Sequence, residues 1–386
     1  MKLCFICSEY PPAPHGGIGT LTQTLGRALV RRGHEVRVLG VYSGASCSPQ
    51  YAEDQGVRLW RLCETAAPFA WVRARYKLFR TLQDWSLRGE IDLIEVPDWQ
   101  GWAAGWPKLP VPVVTRANGS SAYFAMEMNR ETRRVNAWLE EASLRRSDFW
   151  AAASRYTEQQ TRRVFRLRSP ADAILYNPVQ LPECPSGSKP RSGVLYSGTL
   201  TEKKGIVSLI QAWPSVLREC PGARLRIFGK DGTSPRGGSM RAFLETGMDG
   251  AVARSVTFHG HVDRDTLVRA LHEARAAVFP SYSEAFAIAP LEAMACGCPT
   301  IYTRRASGPE LIEPEHNGLL IDPDRPEAIA EAIIRLLRDD GLASALGQAG
   351  CERVRQRFSL DRLVVEDEEF YRECREQFRR RDAKAA

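Results

Sequence analysis

The sequence predicts an α/β protein built from two doubly wound parallel-sheet domains of similar size. Three observations carry this. Short strand-like runs alternate with amphipathic helical runs along the whole chain, the pattern of parallel sheets covered by helices on both faces. A Pro- and Ser-rich stretch, residues 182–190 (Pro-Glu-Cys-Pro-Ser-Gly-Ser-Lys-Pro), interrupts that alternation near the middle. The length, 386 residues, suits two domains.

In chain order, the first half carries strand-like runs at Leu3–Cys7, Glu35–Val41, Arg58–Leu62, Leu93–Val96, Val113–Arg116, Phe149–Ala152 and Ala173–Tyr176. After the break come Val194–Ser197, Arg224–Phe228, Val256–His259, Ala276–Pro280, Pro299–Tyr302 and Gly318–Ile321. Helical periodicity is clearest at Leu21, Leu25, Ala28 and Leu29, and at Ile206, Leu209, Ile210, Trp213 and Leu217. The expected division is residues 1–182, a linker over 183–190, and residues 191–359. A last charged helix from about Leu360 belongs to the remaining segment, 360–386.

Composition narrows the class. The chain is 44% hydrophobic and 26% charged, which supplies enough apolar material for two cores. No apolar run reaches the roughly 18 residues that a spanning helix needs. Met1–Tyr10 reads as a strand entering a loop rather than as a signal peptide, so the expected compartment is the cytosol. The ten cysteines are scattered. Cys4-x-x-Cys7 has no second Cys/His pair nearby and places its thiols on opposite faces of one strand, so buried reduced thiols are expected and no metal site. A net charge of +7 fits an anionic small molecule or membrane surface. It lacks the dense basic stripe of a nucleic-acid reader.

Four segments carry chemistry. The first, Glu9-Tyr-Pro-Pro-Ala-Pro-His-Gly16-Gly17-Ile-Gly19-Thr20, joins a strand to a helix, and its glycines bring backbone N–H groups and a helix N-terminus toward an anion. The second, Tyr196-Ser-Gly198-Thr199-Leu-Thr-Glu-Lys203-Lys204-Gly205, is a similar junction, and a lysine there can pair with a diphosphate. The third runs Pro280-Ser-Tyr-Ser-Glu284-Ala-Phe286-Ala287-Ile288-Ala289-Pro290-Leu-Glu292. A helix starting at Pro290 and stopping at Gly297 aims the N–H groups of residues 287–289 at a phosphate. Glu284 sits in a loop with no structural need for a carboxylate, whereas Glu292 has an ordinary use in a first helical turn. The fourth, Val113-Val-Thr-Arg116-Ala-Asn118-Gly119, ends a strand of the first half. Ligands of such folds sit at the carboxyl ends of strands, so a cleft between the two domains is the expected site.

Glu284-x7-Glu292 followed by Ala-Met-Ala-Cys-Gly-Cys-Pro, together with the Gly16-Gly17-Ile-Gly19, Arg32-Gly-His-Glu-Val36, Asn177-Pro-Val179 and Glu315-His-Asn-Gly-Leu319 segments, resembles the retaining glycosyltransferases of family four, which have the GT-B fold. The matching segments span residues 9 to about 320. The resemblance implies that the substrate is a nucleotide diphosphate sugar, UDP- or GDP-linked, with no resident cofactor and no metal. Glu292 would bind the ribose, Glu284 the donor sugar, and Lys204 the diphosphate, helped by Gly16, Gly17, Gly198 and the amides near Phe286, Ala287 and Ile288. Gly229 and Lys230 would line the base pocket. The last helix would cross back onto the first domain.

Two positions depart from the family's pattern. Thr199 stands where an arginine is usual, and Asn118 where many members have histidine. Both keep hydrogen-bonding capacity and remove charge. A catalytically weak or inactive binding subunit is therefore the alternative reading. On the acceptor side, Asp98, Trp99 and Arg116 are the candidates for a glycan, lipid-linked or small-molecule acceptor. Residues 69–89 carry five basic residues and one acid among aromatics, which suits either a peripheral contact with an anionic membrane, at its inner face, or an ordinary helix packed on the sheet with a solvated basic face.

Overall fold

The computed structural model describes residues 1–64, 70–182 and 191–385. The expected linker, 183–190, lies outside them. The chain divides into two compact units, Met1–Pro178 with Leu360–Ala386, and Val179–Ser359.

The first unit runs β1 (Lys2–Ile6), α1 (Gly17–Arg31), β2 (Glu35–Tyr42), β3 (Tyr51–Asp54), β4 (Val57–Cys63), α2 (Ala70–Leu87), β5 (Leu93–Pro97), β6 (Val113–Ala117), α3 (Ser121–Glu127), α4 (Arg134–Arg146), β7 (Phe149–Ala152), α5 (Arg155–Phe165) and β8 (Ala173–Ile174). Its sheet has the order β3-β4-β2-β1-β5-β6-β7-β8. Every pairing is parallel except β3 with β4. The sequence reading did not expect β3. Tyr-Ala-Glu-Asp lacks an apolar alternation, and the strand forms because Gln55 and Gly56, both at positive φ (50° and 85°), close a two-residue hairpin onto β4.

The second unit runs β9 (Val194–Ser197), α6 (Ile206–Glu219), β10 (Leu225–Phe228), α7 (Met240–Thr246), α8 (Gly250–Ser255), β11 (Val256–Gly260), α9 (Arg264–Glu273), β12 (Ala276–Phe279), α10 (Ile288–Ala295), β13 (Thr300–Thr303), α11 (Gly308–Leu311), β14 (Leu319–Ile321), α12 (Pro326–Arg338) and α13 (Asp340–Arg357). The sheet order is β11-β10-β9-β12-β13-β14, parallel throughout. The chain then returns to the first unit as α14 (Leu360–Ala385).

Both faces of the first sheet are covered, because its central strands are apolar on both sides. Leu3, Phe5 and Cys7 pack with Leu21, Leu25 and Leu29 of α1 and with Phe370, Tyr371 and Phe378 of α14. Cys4 and Ile6 point the other way, toward Leu78 and Leu82 of α2. Cys4 and Cys7 are thus buried on opposite faces, and burial pushes each thiol up to about 12. In the second unit, Leu209, Trp213 and Val216 of α6 and Ile329, Ile333 and Leu336 of α12 close over Val194, Tyr196, Leu225 and Ile227.

The strand orders reverse at β1 in the first sheet and at β9 in the second. Crevices therefore open beyond the carboxyl ends of β1/β5 and of β9/β12. These ends carry the first and third segments singled out above, and the second follows β9 directly.

Candidate functional site

In the second unit, backbone fit builds the site. The loop after β9 turns into α6 at Gly205, where φ is 71° and a Cβ would fall 1.8 Å from the Pro280 carbonyl oxygen. Only glycine lets the two loops meet there. Tyr282 N then donates to Lys203 O at 2.8 Å, which ties the loop after β12 to the loop after β9. Gly229 is constrained in the same way: φ is 144° and a Cβ would lie 1.9 Å from Gly198 O. Gly198 N donates to Phe228 O and Gly229 N to Gly260 O. The ends of β9, β10 and β11 are so stitched side by side.

This brings together residues that are 80 positions apart. Lys204 Nζ donates to Glu284 Oε1 at 2.5 Å. The same oxygen accepts Ser281 Oγ at 3.0 Å. Glu284 is 7% exposed. Beside it α10 begins at Ile288, two residues earlier than the sequence suggested, with Pro290 as its third residue. Its N-cap is Ala287, which has no side chain able to cap the first-turn N–H groups.

A cavity of about 40 Å³ lies between these parts, lined by Ser197, Lys204, Glu284, Ala287–Pro290 and Tyr302. The Ser197 hydroxyl and the Tyr302 hydroxyl are buried there without a hydrogen-bond partner among the described residues. Neither was foreseen, since both lie in strands that read as plain core. Buried polar groups without partners are costly, so they mark where a ligand or water completes the site.

Glu292 lies one turn into α10. Burial pushes its carboxyl above the ordinary value, against the pull of Arg264, whose Nε stands 4.0 Å away. Phe228 and His259 stack at 4.4 Å with nearly parallel rings, Phe228 being next to Gly229 and Lys230 in the chain. Thr199 is exposed, so its slot carries a hydroxyl and no charge.

The first unit holds the remaining candidates. Gly16 and Gly17 are exposed at the start of α1. The carboxylate of Glu9 already occupies part of that helix end: Oε1 accepts Gly19 N at 2.8 Å. Gly17 is left open, with nothing within 4 Å of the position a Cβ would take.

Asn118 follows β6 on a loop clamped by two buried acids. Asp98 accepts the N–H groups of Asn118 (3.0 Å) and Gly119 (3.1 Å), and Glu140 accepts those of Ser121 (2.9 Å) and Ala122 (3.0 Å). The Asn118 Oδ1 atom is buried without a donor among the described residues. Asp98, expected on the acceptor side, is only 1% exposed and instead positions the Asn118 loop. Trp99, beside it, is half-buried.

Arg116 is also reassigned. It is 1% exposed, and its Nη2 donates to Asp367 of α14 at 2.7 Å and to Leu175 O at 3.2 Å. Glu95 lies 3.7 Å from Nη1, and Tyr371 donates to Glu95 at 2.6 Å. Burial opposes the guanidinium charge, but Asp367 and Glu95 outweigh it and hold Arg116 above its ordinary value. A group so enclosed docks the last helix and cannot reach an acceptor.

Asp98 yields a pH prediction. Burial raises its carboxyl from 3.8 to about 7, with the nearby Glu140 adding and the two N–H bonds opposing. The folded state therefore keeps a proton that the unfolded chain has lost, so stability falls as pH rises from about 4 to about 7 and is flat above. Melting curves of wild type and Asp98→Asn over that range should converge toward the asparagine variant's flatter profile. The Asp98 share of the slope is at most about 1.4 kcal/mol per pH unit. Parallel profiles would show that Asp98 does not titrate in this window.

A family profile described as "Glycosyl transferases group 1" matches residues 187–353, and one described as "Glycosyltransferase Family 4" matches residues 15–181. The chain is similar to a glycogen synthase of Mycobacterium tuberculosis, at 26% identity over 96% of this chain and 94% of that protein. It is similar also to a GDP-mannose-dependent alpha-(1-6)-phosphatidylinositol monomannoside mannosyltransferase of the same organism, at 27% identity over 96% and 98%. Among solved structures, a sucrose-phosphate synthase from Thermosynechococcus elongatus superposes with a TM-score of 0.81 and 23% identity, over 96% of this chain and 98% of that one. That last likeness shows the fold, GT-B.

Proposed function

This chain belongs to the group 1, family 4 glycosyltransferases, which use nucleotide-sugar donors, and we propose that it moves a hexose-type sugar from a UDP- or GDP-linked donor to an acceptor hydroxyl with retention of configuration. The acceptor is a glycan, a lipid-linked molecule or a small molecule. The reaction needs neither a metal nor a resident cofactor on this reading, and the nucleotide sugar is a co-substrate.

One observation carries the reading: the Lys204–Glu284 pair at the carboxyl ends of β9 and β12, beside the uncapped start of α10. Breaking the anomeric C–O bond builds negative charge on the departing diphosphate. Lys204 has two N–H donors left after serving Glu284, and the first-turn amides of α10 add an aligned dipole. Both are in place before the reaction and need no reorganisation. Glu284, held by Lys204 and Ser281 through Oε1, is the carboxylate that meets the sugar hydroxyls on this reading. Glu292 offers a carboxylate to the ribose, and the Phe228–His259 stack flanks the base. Asn118, in the first unit, keeps an unserved Oδ1. In the retaining scheme a diphosphate oxygen takes the acceptor's proton, so the change from histidine to Asn118 costs no base.

Calorimetric titration of UDP, GDP and ADP without metal tests the donor site. One nucleotide should bind, and Glu292→Ala should weaken it by about tenfold or more. If none binds the wild type at millimolar concentration, the missing charge at Thr199 has disabled the site. The binding-subunit reading then replaces this one.

A further inference from the structure

The first unit exposes large apolar side chains in one region. Seven large hydrophobic residues are exposed among the described residues, and six of them, Trp71, Val72, Tyr76, Leu87, Val135 and Trp138, lie on α2 and α4, Leu87 at the far end of α2. Trp71 is 50%, Tyr76 63% and Trp138 61% exposed. An exposed tryptophan is unremarkable singly, but a group of this kind marks an interaction surface.

The two helices pack against the same loop. Arg75 of α2 reaches in and donates to Gly101 O (2.6 Å) and to Gln100 O. Its guanidinium lies over the Trp102 ring, 5.0 Å from the centroid, and burial draws it down to about 10. From the other side α4 presses its Leu139 carbonyl to within 2.2 Å of where a Gly101 Cβ would stand, and Ser143 Oγ accepts Ala103 N at 3.0 Å. Trp71 is one turn before Arg75, and Trp138 directly precedes Leu139. Both helices that carry the exposed aromatic residues therefore contact the Trp99–Gly101 loop.

Charge surrounds them. Arg73, Lys77 and Arg80 on α2, and Arg133 and Arg134 at the start of α4, are exposed and have no acidic partner among the described residues. Val72, Tyr76 and Arg80, like Arg73, Lys77 and Arg80, follow helical spacing. The acids that face this region are Glu131, which is exposed, Asp84, which pairs with Arg88, and Glu141, which pairs with Arg145. Positive charge thus dominates next to tryptophan and tyrosine, the side chains that settle at a lipid headgroup boundary.

We propose that this two-helix surface docks the protein on an anionic lipid bilayer. It rests on the reading above in one respect, that the first unit serves the acceptor. It differs from a contact through residues 69–89 alone: α4 contributes half of the anchor, Arg75 is withdrawn from it to hold the loop, and Phe69 lies outside the described residues. Basic side chains near such a surface contribute about 1 kcal/mol each, and inserted aromatic rings supply the salt-resistant part.

Co-sedimentation of the full chain with phosphatidylcholine vesicles, with and without phosphatidylglycerol, tests this in the absence of donor and acceptor. Binding should require the anionic lipid and weaken in high salt. Trp71→Ser and Trp138→Ser should each lower the partition coefficient by about tenfold, with unchanged melting temperature because both side chains are exposed. Arg75→Ala should act differently, lowering the melting temperature. Absence of binding to anionic vesicles, or binding indifferent to both tryptophan substitutions, overturns the proposal. So does light scattering in which the wild type is a dimer and the double variant a monomer, since the surface is then a self-interface. A failed nucleotide titration leaves vesicle binding untouched, so the two readings fail separately.

Discussion

Lys204→Ala is expected to lower kcat by about a hundred- to a thousandfold, the range seen when one preorganised donor to a developing anion is removed. The same substitution should weaken nucleoside diphosphate binding, because the ammonium acts on both the bound and the departing phosphate. Stability should fall by about 1–3 kcal/mol, because Glu284, whose side chain is only 9% exposed, loses its cation while Lys204 itself is 30% exposed. Glu284→Gln keeps the shape of the loop and the Ser281 contact while removing the counter-charge and the strong acceptor for sugar hydroxyls. It should therefore raise KM for the sugar nucleotide and lower kcat, with nucleoside diphosphate binding largely kept. Because the two residues act as one unit, the double variant should be much less impaired than the product of the single effects. Steady-state kinetics and calorimetry on the three variants check this. A Lys204→Ala enzyme that kept most of its activity would remove Lys204 from the mechanism.

The second large effect concerns stability. Arg116→Leu should destabilise the protein by about 3–5 kcal/mol, because it strands Asp367 and Glu95 in the core without their shared cation. Adding Asp367→Leu should recover part of that loss, since replacing both members of a buried pair by apolar groups is far milder than removing one. Denaturant unfolding of the single and double variants gives the comparison. If Arg116 instead held an acceptor, Arg116→Leu would raise the acceptor KM and leave the unfolding midpoint in place. The same logic explains the path of the chain. The arginine and its partner are 251 positions apart, and satisfying that buried charge helps to bring α14 back onto the first sheet.

The sequence alone determined the alternation of strands and helices, because a strand buried on both faces must be a short apolar run and the helix covering it must be amphipathic; these are local patterns. It also determined the four loop segments at strand ends. Glu284 stands out there as a carboxylate that its loop does not require, whereas the need for glycine at 205 and 229 comes from backbone approaches made in the fold. Two kinds of statement depended on packing. Strand β3 came from a hairpin turn at Gln55-Gly56 and not from its own residues. The fates of Asp98 and Arg116 came from burial: both stand at strand ends where a ligand could lie, and the same charged side chain serves a substrate when exposed and the core when enclosed. Only the tertiary structure decides between these, because the partners that neutralise a buried charge, Asp367 for Arg116 and the Asn118 and Gly119 amides for Asp98, come from distant parts of the chain. The same holds for the Ser197 and Tyr302 hydroxyls, whose lack of a partner is a property of the folded cavity and leaves no mark in the order of residues.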